Sequence, residues 1–227
     1  MKKIQTIILN TLTTFSIALS ISGCIAQTKA EQESRIKSLE KIGITIQVKE
    51  SAYKYSGGLD EILDQMEDVE KNDAYLYKTV KKVILCTNPL KASGQKGNYR
   101  IKGGAYAGHA DSKNRVIYIN VKEHSDNTVK HELFHEFDSY FDKNRNLSES
   151  DEFLDAGNKY YTKIMAIFDY DTIQGEGNVH EFFVNLCIDY TEKKDREIIR
   201  EQFPEIYEFI ERYVEELMGG VCRADLN

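Results

Sequence analysis

His131-Glu132-Leu133-Phe134-His135 decides how this chain is read. It has the pattern H-E-x-x-H, and Leu133, Phe134, Phe137, Tyr140 and Phe141 give the surrounding stretch an amphipathic helical character. Residues four apart on a helix share a face one turn apart, so the two imidazoles can meet at one ion. Zn2+ suits that arrangement, because it takes imidazole nitrogens and works with three protein ligands and one open position. Glu132 projects near the same face, placed to accept a proton from water and pass it to a leaving amine. The apolar residues of the same helix pack it into the body and hold the histidines in place.

Downstream of the motif the pattern stays helical. Helices are expected over roughly 126–144, 149–168, 178–192 and 204–218, with starts at Ser148 to Asp151, Asn178 to Glu181 and Phe203-Pro204-Glu205. Upstream the pattern is mixed. A short helix is expected over 34–41, and the alternating, β-branched Ile44-Thr45-Ile46-Gln47-Val48 reads as a strand. Leu59, Ile62, Leu63, Met66 and Val69 recur at helical spacing, and a further helix fits 74–81. Val83 to Cys86 reads as a buried strand, and Lys91 to Gly104, rich in Gly, Lys and Ser, as a surface loop. Ala105-Tyr106-Ala107, the turn Asp111 to Asn114, and Val116 to Val121 read as strand, turn, strand. The expected class is therefore α+β: a small twisted sheet in the N-terminal half, packed against a mostly helical C-terminal half that carries the motif helix.

The third ligand must come from elsewhere in the chain. Ser139, Phe141 and Asp142 stand where a metzincin extension of the motif would continue, so that class is excluded. Glu181, in Asn178-Val179-His180-Glu181-Phe182-Phe183, opens a new helix whose Phe182, Phe183 and Leu186 can seat it beside the motif. His180 competes with it, and Glu176 less strongly; a first-turn Glu is also favoured by the helix dipole alone. Asp138 is either a carboxylate that orients an imidazole or an exposed acid beside Lys143. His109 and His124 read as surface loop histidines, and Tyr160 and Tyr161 as core or helix surface.

His131 to Asp138 followed, after a helical insert, by His180-Glu181-Phe182-Phe183 resembles the catalytic domain of anthrax lethal factor and the secreted clostridial Pro-Pro endopeptidases. The likeness spans roughly residues 80 to 215 and includes Gly103-Gly104. It implies a gluzincin-like zinc metalloprotease with Glu181 as third ligand, and a tyrosine seven residues earlier as donor to the oxyanion. Gln174 stands at that position here, which puts Pro-Pro specificity in doubt. Tyr170 lies nearby, and the loop from Gln174 to Gly177 can bring it into range; Gln174 itself is the weaker donor. A thermolysin-like peptidase is disfavoured, since no matching Glu motif follows at about twenty residues.

The N-terminus has a different character. Lys2 and Lys3 precede an apolar run from Ile4 to Ile21, no acid occurs before Glu31, and Ile21-Ser22-Gly23-Cys24 has the look of a bacterial lipobox. Residues 1–23 are expected to be a lipoprotein signal peptide, 24–33 a polar tether carrying lipid on Cys24, and 34–227 the metalloprotease-like domain. A plain secretory signal and a retained membrane helix are the alternatives. Location is then the outer face of a bacterial membrane. Cys86 and Cys187 sit in apolar runs and read as buried thiols; with Cys222 they make an odd count that no full disulfide framework accommodates.

The 227 residues, 41% hydrophobic and 30% charged, exclude a disordered chain and a polytopic membrane protein. The formal charge is −7, falling to −9 without residues 1–23, and no basic run argues for nucleic acid as a partner. The partners expected are a peptide or protein substrate and, through Cys24, the membrane. A membrane-anchored zinc endopeptidase with Glu132 as base is the leading reading; a catalytically silent binding module on the same fold is the alternative.

Overall fold

The computed structural model describes residues 28–94, 107–142, 144–168, 170 and 179–219. The leader, Cys24, Gly103-Gly104, Ala105, Tyr106, Lys143, Gln174, Glu176 and Cys222 lie outside them. The class is α+β, with a four-stranded mixed sheet and a helical majority.

Residues 28–39 form α1, which runs into a 3-10 turn at Glu40–Ile42 and stops at Gly43, whose φ of 96° suits only glycine. The helix already covers residues 28–33, where the sequence suggested a tether. Gln32 is buried and its amide donates to Ser56 O and to Asp60 Oδ1. Arg35 reaches Asp60, Asp64 and Glu67 on α2 (Ser56–Asp73). Burial of Ile36 and Leu39 carries most of the docking, at about 1.5–3 kcal/mol per side chain against about 0–1 for a surface ion pair.

All five residues that defined the α2 periodicity, Leu59, Ile62, Leu63, Met66 and Val69, are buried. The segment after α2 is a 3-10 turn, Ala74–Thr79, and not a helix to residue 81. Tyr75, Leu76 and Tyr77 are all buried in succession, which an amphipathic α-helix does not do, and the Thr79 hydroxyl folds back onto Leu76 O.

β1 (Thr45–Val48), β2 (Lys82–Cys86), β3 (Gly108–Asp111) and β4 (Val116–Asn120) order as β1-β2-β4-β3. β1 and β4 flank β2 in parallel, and β3 turns back antiparallel to β4 at the edge. β2 is apolar on both faces: Val83 and Leu85 join the main core, while Ile84 and Cys86 meet Tyr118 on the other side. β3 occupies residues the sequence assigned partly to a turn. Gly-His-Ala-Asp has little intrinsic strand preference, and the segment is extended because β4 supplies a hydrogen-bonding partner. The turn lies at 112–115, closing at Arg115 with φ 57°. A one-turn helix, α3 (Pro89–Ala92), follows β2.

The second half is α4 (Thr128–Tyr140), a 3-10 turn at Leu147–Glu149, α5 (Asp151–Phe168), α6 (Val179–Thr191), α7 (Lys193–Gln202) and α8 (Pro204–Met218). α7 was not legible: seven of its ten residues are charged and only Ile199 is buried. An aromatic cluster joins the other helices. Phe183 of α6 stacks on Phe137 of α4 at 6.3 Å and meets Phe153 of α5 edge-on at 5.0 Å, and Phe153 touches Phe209 of α8. That cluster sets α6 beside α4. Cys86 and Cys187 are buried free thiols. Among the described residues no helix is long and apolar enough to cross a membrane.

Candidate metal centre

α4 buries Leu133, Phe134 and Phe137 and turns His131 and His135 to the opposite side, half-exposed. Their rings meet edge-on with centroids 4.7 Å apart, and the two Nε2 atoms are separated by 3.1 Å. The first turn of α6 brings Glu181 against both: Oε2 lies 3.3 Å from His131 Nε2 and Oε1 3.3 Å from His135 Nε2. These donor atoms all fall within 4.8 Å of one another, and the trio can hold a metal ion. Ligands at about 2.0–2.2 Å from a tetrahedral ion stand roughly 3.3–3.6 Å from each other; the two imidazole nitrogens are slightly closer than that at 3.1 Å, and each meets a different oxygen of Glu181 at 3.3 Å. The donor set, two imidazole nitrogens and a carboxylate, suits a borderline-soft divalent metal.

The charges agree with that geometry. Hydrogen bonds from His131, then His135, hold the Glu181 carboxyl far below the usual carboxylate range. For His135, burial works to lower the pKa, but its hydrogen bond to Glu181 and the charges of Glu132 and Glu181 outweigh it and leave it raised. Burial pushes Glu132 up, partly offset by the two histidines. Glu132 is almost wholly covered, and its lid is β3: a Cβ built on Gly108 would stand 2.5 Å from both Cγ and Oε1 of Glu132.

The trio opens on a cleft of about 730 Å³ between β3, α4, Tyr170 and α6. His180, the rival ligand, lines this cleft but is not in the trio. Its Nδ1 faces Ser148 Oγ at 2.7 Å and Asp138 Oδ2 at 3.1 Å. Asp138 is buried, accepting from Ser148 N at 2.7 Å and Ser148 Oγ at 2.8 Å. The imidazole it contacts is that of His180 and not that of His131 or His135. Tyr170 also lines the cleft, and its hydroxyl donates to Asp189 Oδ2. Burial raises the Tyr170 phenol, and burial likewise lifts Asp189 to about 6 despite the tyrosine bond.

His109 lies on β3 in the cleft wall, stacked on Tyr118, and burial lowers its pKa. His124 lies elsewhere, bonded to Glu61 at 2.7 Å. Tyr160 bonds Glu205, and Tyr161 is exposed. Gly108, Asn185 and Asp189 went unnoticed in the sequence, and Ser148 was read only as a helix start. Asn185 and Asp189 follow Glu181 at steps of four, so they share its helix face and the spacing alone was a usable signal. No family model matches the chain, and no curated protein matches it.

Proposed function

We propose that the protein is a zinc-dependent endopeptidase acting outside the cell, held at the membrane by a lipid on Cys24. The observation that carries the reading is the convergence of His131, His135 and Glu181 with a buried carboxylate, Glu132, on the same helix. A bound Zn2+ supplies Lewis acidity, polarising a substrate carbonyl and acidifying water.

The protein residues do the rest. Glu132 accepts a proton from the attacking water as the new C–O bond forms, then returns one to the amine nitrogen as the C–N bond breaks. β3 lies at the edge of the sheet and walls the cleft, where an extended peptide can run alongside it. Tyr170 serves as a donor to the substrate carbonyl once its bond to Asp189 opens.

A second reading, a binding module without turnover, is favoured by that same bond: Asp189 takes up the Tyr170 hydroxyl, and Gln174 occupies the position of the expected donor. Digestion of a broad peptide library with Zn2+, using Glu132→Gln as control, separates the two. Zinc-dependent cleavage lost in Glu132→Gln supports the peptidase. No cleavage by either protein refutes it.

A further inference from the structure

α4 carries His131, His135 and Asp138 at positions i, i+4 and i+7, so all three face one side of the helix over two turns. α6 opposes them with two consecutive residues, His180 and Glu181. His135 meets Glu181, and one turn further along Asp138 meets His180. A single contact between two helices leaves one free to slide and rotate about it. Two adjacent contacts from neighbouring residues set both the height and the azimuth of the first turn of α6.

The Asp138 carboxylate is built for holding. It is 1% exposed, and a buried charge of this kind is tolerated only when its oxygens are filled by donors. Three donors fill them: the Ser148 amide and hydroxyl, and His180 Nδ1. The Ser148 hydroxyl spends its one hydrogen on Asp138, so its oxygen accepts from His180. Nδ1 of His180 thus stands within hydrogen-bond distance of both oxygens, with the Asn146 side-chain amide 3.2 Å from the same nitrogen. Ser148 belongs to the 3-10 turn at Leu147–Glu149, which a capping box between Asn146 and Glu149 closes. Two other elements, α4 and this turn, thus converge on the α6 residue next to Glu181.

We propose that Asp138, Ser148 and His180 are positioning residues for the metal centre: they hold the first turn of α6 so that the Glu181 carboxylate stands opposite His131 and His135 before an ion arrives. The inference rests on the metal-centre reading and extends it to ligand preorganisation. The aromatic contacts of Phe182 and Phe183 seat the body of α6, and the cluster sets where its first turn points.

Chelator-competition titration of the full chain with Zn2+ tests it, comparing wild type, His180→Ala, His180→Asn and Ser148→Ala. Outer partners of this kind typically account for about 10–100-fold in metal affinity. His180→Ala should bind Zn2+ about 10–100-fold more weakly at unchanged stoichiometry. His180→Asn keeps a donor near the Nδ1 position and should recover most of that loss, and Ser148→Ala should lose less than His180→Ala. Thermal melts of the metal-free proteins should superimpose for wild type, His180→Ala and His180→Asn.

Wild-type affinity in His180→Ala overturns the inference. So does equal loss in His180→Ala and His180→Asn, or a loss that tracks a lowered melting temperature. Peptide cleavage by the wild type is measured in parallel. Zinc binding without cleavage, with the variants behaving as stated, refutes the peptidase and leaves this inference standing. Wild type that binds no Zn2+ overturns both.

Discussion

Gly108→Ala attacks the base of the proposed reaction without touching a ligand. The added methyl would stand 2.5 Å from Glu132 Cγ, 2.5 Å from Oε1 and 2.6 Å from Cδ. Comfortable carbon contacts are about 3.5–4.0 Å, so the overlap is roughly 1 Å on three atoms of one buried side chain. Glu132 cannot swing into solvent from its covered position, so either its carboxylate shifts by that amount or β3 lifts from α4. Overpacking of this size costs about 1–3 kcal/mol of stability, which a folded domain can absorb. A misplacement of about 1 Å in a catalytic group costs about 100-fold in rate, equivalent to about 2.7 kcal/mol of transition-state energy. The expected result is kcat/KM down about 100-fold on the best library peptide, with zinc content unchanged because His131, His135 and Glu181 are not in the overlap. Glu132→Asp shortens the side chain away from the methyl, so its own cost should shrink when combined with Gly108→Ala. Wild-type turnover in Gly108→Ala, or strict additivity in the double variant, refutes the claim that this close approach positions the carboxylate.

Glu181→Ala should weaken Zn2+ binding by orders of magnitude in equilibrium dialysis, and retained affinity would remove it from the ligand set. Tyr170→Phe should lower kcat by about two to three decades, as loss of one carbonyl donor does; near-wild-type turnover would leave Tyr170 as no more than a partner of Asp189. Asp189→Asn should change how stability varies with pH. Burial raises the folded carboxyl from its ordinary 3.8 to about 6, so folding takes up a proton between those values and wild-type stability falls as pH rises through that window. Urea midpoints should therefore move in favour of Asp189→Asn from about pH 4 to about pH 6 and run parallel above it; a pH-independent difference refutes the assignment. Cys24→Ala should shift the protein from the membrane fraction to the soluble fraction, and unchanged partition would refute the anchor.

Elements that bury an apolar stripe were legible in the sequence, because periodicity reports burial directly. α2 and α4 were read this way, and Phe182 and Phe183 marked α6 as a helix seated beside the motif. α7 was invisible because it contributes one buried residue, and the first strand of the hairpin was placed at 105–107 rather than 108–111 because an edge strand of Gly, His, Ala and Asp is held by its neighbour and not by its own preference. The site divides along the same line. His131 and His135 are a local pattern on one helix, whereas choosing Glu181 over His180 depends on which α4 side chains each one meets: Glu181 reaches the two histidines and His180 reaches Asp138. Gly108 over Glu132, and Ser148 beneath His180, are contacts between distant segments with no sequence period to announce them.

The early start of α1 bears on where an anchored form of this protein can work. Only four peptide steps separate Cys24 from Thr28, the first described helical residue, and Gln32 and Arg35 clamp that helix to α2. At about 3.5 Å per residue, four steps reach about 14 Å, against about 32 Å for a tether running to Glu33. With a lipid on Cys24, the first turn of α1 would be held close to the bilayer. The cleft would sweep only the space near it, favouring target segments that emerge within roughly one protein diameter of the same membrane. Substrate choice would then depend on altitude as well as on sequence.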